Sequence, residues 1–304
     1  MIVYKYLNQE GALATVSNNC VTLKTPLEYN DPFDSVFFAN RKERSEAYKL
    51  FINYELFKEL YDQFVTKKKK AIRYRFYSKV LKQDIVQIAK EVNNKSFYKV
   101  YPEISAYYMF ASKVLKRSDS TLRRDFNKMI DRVLEKIRGR ALISCFGLEN
   151  NSMLMWSHYG EKHKGACIEF EVDEKEFKKV KYSEELPVFR LTEIMGIIFG
   201  NEFNGKEVDT SDEALAFALE PLLTKSTAWS YENEVRCIFS KGKLDKRIHR
   251  DEEKRYLLEM PKIKKIYIGC NADKTFINKI KNTRDKSIPV VVFKRSNERY
   301  EINE

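Results

Sequence analysis

Residues 41–140 carry 26 Lys and Arg against 12 Asp and Glu, a surplus of 14 in a chain whose formal charge is +12, so the other 204 residues sum to −2. The periodicity changes over the same stretch. Tyr48, Phe51, Ile52, Leu56, Leu60 and Phe64 recur near helical spacing, residues 72–92 continue the theme, and Tyr101-Pro102 interrupts it before 105–115 resumes. Ser120 or Thr121 is placed to cap a helix that runs through Ile137 and stops at Gly139. On either side of this block the period is two. Residues 2–7, 20–24, 141–146, 165–170 and 235–239 read as strands, a short helix is expected at 153–159, and 263–268, 273–280 and 289–293 read as strand, helix, strand. A chain whose strands are parted in this way folds as α+β, here a single domain over residues 1–304 with a helical, Lys/Arg-rich insertion at 41–138.

The remaining punctuation fits that frame. Pro26 to Asp34 places two prolines around an Asn-Asp pair, an ordered loop for which Phe33 is the expected buried anchor. A helical segment at 214–220 is expected to break at Pro221. Gly269-Cys270-Asn271 offers a lone glycine, which excludes a dinucleotide-binding fingerprint there. The five cysteines include no C-x-x-C pair, and no run of about 18 apolar residues occurs, so a reduced, cytoplasmic chain without a secretory leader or membrane span is expected. Lys67, Lys68, Lys69 and Lys70, followed by Arg73, Tyr74, Arg75, Phe76 and Tyr77, combine phosphate-binding charge with aromatic faces that stack on bases. That run reads either as a contact to RNA or DNA or as a solvated helix end.

Two stretches carry chemistry. In 229–239, Val235, Cys237 and Phe239 fall on one strand face, and Glu234, Arg236 and Ile238 on the other. Glu232 and Glu234 then point the same way, and two carboxylates so close resist ionising together unless a cation is near. A structural Glu234–Arg236 ion pair is the plain alternative. In 153–170, His158 and His163 admit three readings: zinc ligands with Cys167 and Cys145, packing residues around Gly160, or pocket residues in which His158 and Tyr159 donate hydrogen bonds while Trp156 stacks on a flat ring. No Gly-x-Ser-x-Gly elbow occurs, which excludes that serine-hydrolase pattern. A metal-dependent nuclease would draw on Asp31, Asp34, Glu169, Glu171 and Glu234.

The segments Asn30-Asp31-Pro32-Phe33-Asp34, Ser144-Cys145-Phe146, Met155-Trp156-Ser157-His158-Tyr159 with His163 and Gly165, and Lys225 with Trp229-x-x-Glu232-x-Glu234-x-Arg236, in this order, resemble a bacterial family of unknown function. More distantly, the opening strand, the Ser144 strand and Glu-x-Glu-Val resemble ADP-ribosyltransferases of the arginine, serine, glutamate type. That resemblance implies a split antiparallel sheet gripping NAD. It also implies that Glu234 stabilises oxocarbenium charge on the ribose, that Glu232 deprotonates or orients the acceptor, and that His158 binds ribose. Tyr159 or Trp156 would stack on nicotinamide and Lys5 would neutralise the pyrophosphate, with Tyr4, Tyr6, Ser144 and Arg236 completing the NAD-binding set. The implied activity is transfer of ADP-ribose to a macromolecule, including nucleic acid, as in a toxin or phage-defence effector restrained by an inhibitor protein. A nucleic-acid-binding module without catalysis is the rival expectation.

Overall fold

The computed structural model describes residues 1–61, 115–195, 218–299 and 301–303. Two compact units are present: Met1–Val36, Arg138–Leu186 and Glu220–Glu304 form one, and Phe37–Ile137 with Pro187–Leu219 the other. The second unit thus contains nearly all of the basic insertion and also 187–219, a segment that the charge pattern does not mark. In chain order the elements are β1 (Ile2–Leu7), α1 (Gln9–Asn18), β2 (Cys20–Leu23), α2 (Arg41–Tyr61), α3 (Asp119–Arg140), β3 (Ala141–Gly147), α4 (Met153–His158), β4 (Ala166–Glu171), β5 (Phe177–Lys179) and β6 (Lys181–Ser183). They continue as α5 (Leu219–Leu222), β7 (Thr224–Ser226), β8 (Glu234–Ser240), β9 (Ile248–Arg250), β10 (Tyr256–Glu259), β11 (Ile263–Ile268), α6 (Lys274–Thr283) and β12 (Val290–Val292).

The first unit is built on a seven-stranded sheet ordered β12-β11-β4-β1-β3-β8-β5, with β2-β10-β9 as a smaller sheet. Among the described residues of the large sheet only β11 and β12 run parallel, as a strand-helix-strand crossover through α6 requires. Alternation in the strands divides the apolar side chains into two cores. Val3, Leu142, Phe146, Ile168, Val235 and Cys237 belong to the larger core, while Tyr6, Trp156, Cys167, Tyr267 and Phe293 form a second, aromatic one. Each fully buried aliphatic or Phe side chain contributes about 1.5–3 kcal/mol. The junction of β1 with β3 is short: Tyr4 with Gly147 is the only registered pair, whereas β3 and β8 pair from Ala141–Ser240 to Gly147–Glu234.

In the second unit α2 and α3 bring Tyr48, Phe51 and Phe126 together, and Leu122, Phe126, Ile130, Val133 and Ile137 line the buried face of α3 at helical spacing. That helix begins earlier than the sequence suggests, because Ser118 is the cap: its Oγ accepts from Thr121 N at 3.2 Å. Gly139 does not stop it. The last helical residue is Arg140, and β3 follows at once.

Two further expectations are corrected. Phe33 is 67% exposed, and it is Asp34 and Ser35 that go inside. Pro221 lies within α5 instead of ending a helix, because so near the helix start its missing N–H has no partner to lose. The run Lys67 to Lys70 with Arg73 and Arg75 lies outside the described residues.

Candidate functional site

β8 carries Val235 and Cys237 into the larger core and aims Glu234 and Arg236 at the other face. Arg236 is fully buried, and all three guanidinium nitrogens are engaged. Nε donates to Glu234 Oε1 at 2.7 Å, Nη1 and Nη2 donate to the two oxygens of Asp34 at 2.9 and 2.7 Å, and Nη1 also reaches Leu222 O at 2.7 Å. Asp34 arrives by the 30–35 loop, where Asp31 Oδ1 accepts from Phe33 N at 2.9 Å and Ser35 takes a left-handed φ of 57°. Lys225, on β7, is the second cation: Nζ lies 2.5 Å from Glu232, 3.2 Å from Glu234 and 3.6 Å from Asp34.

Glu232 is not on the strand. It closes a 3-10 turn, Thr227–Glu232, and Asn233 at φ 42° turns the backbone so that β8 starts one residue later. The two carboxylates nevertheless converge on Lys225, as the spacing predicts. Burying such charges costs several kcal/mol per ion unless each is matched. Here three carboxylates face two cations, and the mismatch falls on one residue. Burial works against the charge of Glu234, but Arg236 and Lys225 outweigh it and hold the carboxyl down at about 2. Burial dominates at Glu232 and raises its pKa despite Lys225. Two neighbouring acids pushed apart in this way are suited to different roles.

An aromatic rim adjoins Glu232 and Lys225. Tyr159 Oη donates to Glu232 Oε1 at 2.7 Å. His158 is exposed, its ring 6.0 Å from Tyr231 at 28° and 6.4 Å from Trp229, and Trp229 and Tyr231 are half-buried with centroids 6.0 Å apart. Lys225 Nζ sits 4.9 Å from the Trp229 centroid, so this ring already faces a cation on its inner side.

The His158–Gly165 motif divides between packing and site. Trp156 is fully buried, edge-on to Tyr6 at 5.3 Å and stacked with His163 at 6.2 Å, and its Nε1 donates to Asn150 O at 2.7 Å. It is core, with no face left for a ligand, which corrects its expected stacking role. Glu161, Lys162 and His163 are consecutive left-handed residues, a conformation costing about 1–2 kcal/mol each for side chains with a Cβ. The turn is held by Gln9 N donating to Glu161 Oε2 at 2.9 Å and Asn271 N donating to His163 O at 2.9 Å. A Cβ on Gly165 would lie 2.0 Å from Leu7 O, so only glycine lets the turn approach β1. His163 is thus a packing residue, whereas His158 and Tyr159 serve the rim.

The other expected site residues separate. In β3, Ser144 registers with Cys237 and Gly147 with Glu234, so Ser144 points to the opposite face from Glu234. Lys5 joins Ser144 there: its Nζ donates to Ser144 Oγ at 2.9 Å and Cys145 O at 2.8 Å and stands 4.9 Å from the Phe146 centroid. Burial of the amine lowers the pKa of Lys5. The convergence of Lys5, Ser144 and Glu234 on one crevice therefore does not occur, because alternation sends them to opposite sides of the sheet. Tyr4 and Tyr6 share the Glu234 side, but Tyr6 is buried against Trp156, and Tyr4 lies beside Glu169 and 6.2 Å from Tyr267. Glu169 accepts from Tyr267 Oη at 2.8 Å, and Glu171 is paired with Lys264 at 2.9 Å, so of the acids considered for a nuclease only Asp34 and Glu234 meet, on Arg236. Cys167 is packed in the aromatic core. Among the described residues no group of three or more His, Cys, Asp or Glu side chains is arranged to hold a metal ion.

Sequence reasoning gives no chemical role to Lys225, and none to Asp34 beyond that of a nuclease acid, nor does it give one to Trp229 or Tyr231. A usable signal existed for the first two: an arginine and two acids sharing one buried face demand further partners of both signs. Residues 155–237 match a family described as a protein of unknown function, DUF2971, and that stretch holds every cluster and rim side chain except Asp34. No curated protein and no solved structure matches the chain. No helix among the described residues is long and apolar enough to cross a membrane.

Proposed function

We propose that the rim and Glu232 form the reaction centre of an ADP-ribosyltransferase-like enzyme that moves ADP-ribose from NAD to a macromolecular acceptor. The observation that carries this reading is the division of labour between the acids. Glu234 is committed to Arg236 and Lys225, while Glu232, with a raised pKa, lies between Tyr159 and Lys225 beside half-exposed rings. The carboxylate next to the reacting sugar is accordingly Glu232, not Glu234. A sheet joined between β1 and β3 at a single registered pair supports the same reading, since the resemblance implies a split sheet.

The bond that breaks joins nicotinamide to ribose. Its electron pair leaves with the ring nitrogen, and C1 of the ribose develops oxocarbenium charge that an adjacent carboxylate stabilises. The acceptor attacks C1 and gives its proton to Glu232. Lys225 and Tyr159 position that carboxylate, and Trp229, Tyr231 and His158 offer faces to the leaving ring. The basic insertion supplies attraction for a polyanionic acceptor, RNA or DNA included.

The test supplies NAD labelled in its adenylate half together with nucleic-acid and protein acceptors. Expected are label on an acceptor, release of nicotinamide, and loss of both in a folded Glu232→Gln variant. Unchanged transfer by that variant, or no turnover with any acceptor, removes the reading.

A further inference from the structure

Charge is unbalanced beneath the rim in a way that specifies a ligand. Around Lys225 Nζ lie Glu232 at 2.5 Å, Glu234 at 3.2 Å and Asp34 at 3.6 Å, and Arg236 is the other cation of the group. All five residues are at most 7% exposed, so water screens them poorly. With every group ionised, one negative charge is left over. Arg236 is shared by Glu234 and Asp34, and Lys225 by all three carboxylates, so the surplus belongs to the cluster as a whole; Glu232 is the carboxylate that carries it toward the rim, because its other partner is the neutral hydroxyl of Tyr159. At the edge of the cluster the rings of Trp229, Tyr231 and His158 gather with centroids 6.0–6.4 Å apart, and aromatic faces attract cations through their quadrupoles.

We infer that the rim selects its ligand by charge, taking a planar organic cation and discriminating against the neutral ring of the same shape. This deepens the proposed function and rests on it for the identity of the ligand. In the transfer reaction the oxidised, pyridinium form of nicotinamide would be held, and the reduced dinucleotide would not. The same selectivity drives product release: once the glycosidic electron pair passes to the ring nitrogen, the leaving nicotinamide is neutral and loses its attraction to Glu232.

Binding to the full-length protein separates the possibilities, with 1-methylnicotinamide as the cationic probe and nicotinamide as the neutral one, followed through the fluorescence of Trp229. The cation is expected to bind about tenfold more tightly or better. Glu232→Gln should shrink that ratio to about twofold, and Tyr231→Leu, which leaves the buried cluster untouched, should weaken the cation more than the neutral ring. Equal affinities in the wild type, or a ratio unchanged in both variants, overturns the inference. Discrimination without ADP-ribose transfer upholds charge selection and removes the transferase. Transfer with equal competition by oxidised and reduced dinucleotides does the reverse.

Discussion

The floor of the cluster and its rim are neighbours with opposite designs. In the floor, Arg236 spends its guanidinium on Asp34, Glu234, Ser35 and Leu222 O, so nothing is left over for a ligand. At the rim, Glu232 keeps a raised pKa, His158 is exposed, and Trp229 and Tyr231 are only half-buried. Fully matched charges fix structure; a buried acid with a raised pKa beside half-exposed rings is suited to chemistry. Conspicuous motif residues are therefore not equivalent: Arg236, Glu234 and Trp156 are locked into packing and buried ion pairs, whereas Glu232, Tyr159 and His158 make up the proposed site.

Substitutions at the two levels should separate cleanly. Arg236→Met strands Asp34 and Glu234 as buried anions and should cost about 3–5 kcal/mol, read as a lower denaturation midpoint in urea. A loss below 1 kcal/mol would mean that the floor is not the support described. Glu232→Gln should keep the urea midpoint near that of the wild type and lower the transfer rate by about 10²–10³-fold, the scale set by removing one aimed electrostatic group. Were stability to fall as far as for Arg236→Met, the line between floor and rim would be erased.

Acid should act on the two carboxylates in opposite senses. Glu234 has a folded pKa of about 2, below its ordinary 4.5, so its contribution to stability is complete above 4.5 and is lost as pH falls toward 2. Glu232 has a folded pKa above the ordinary value, so folding favours its protonated form, and that contribution is lost as pH rises through the raised pKa. The proposed transfer needs the ionised form and should decline as pH falls through the same value. The acid limb of the rate profile should therefore lie above pH 4.5 while the fold remains intact, and it should vanish in Glu232→Gln. A smaller change is expected of Tyr159→Phe, which removes one charge-assisted hydrogen bond and should slow transfer by about tenfold. His158→Ala should be the mildest, within about 0.5 kcal/mol in stability, its effect confined to ligand affinity.

Most of the sheet was legible because alternation is a local signal. Val235 and Cys237 against Glu234 and Arg236 announce a strand with one apolar face, the burial of the charged face being visible only in the structure, and β11, α6 and β12 follow from the same kind of pattern. Register is not local. Which side of the sheet Ser144 faces relative to Glu234 depends on Gly147 lying opposite Glu234, and a shift by one residue would reverse it. The left-handed turn at Asn233 is equally silent, and it removes Glu232 from the strand while leaving its carboxylate in place. Phe33 misled for another reason: in a short loop the backbone decides which neighbour turns inward, and here the Asx turn at Asp31 and the left-handed Ser35 deliver Asp34.

Arg236 also ties off the chain. Asp34 and Ser35 immediately precede Val36, where the backbone first leaves the first unit, and Leu222 lies just after Glu220, where it comes back from its second excursion, Pro187–Leu219. One guanidinium thus pins the exit of the first excursion and the return of the second, so both seams are moored to the same acid cluster.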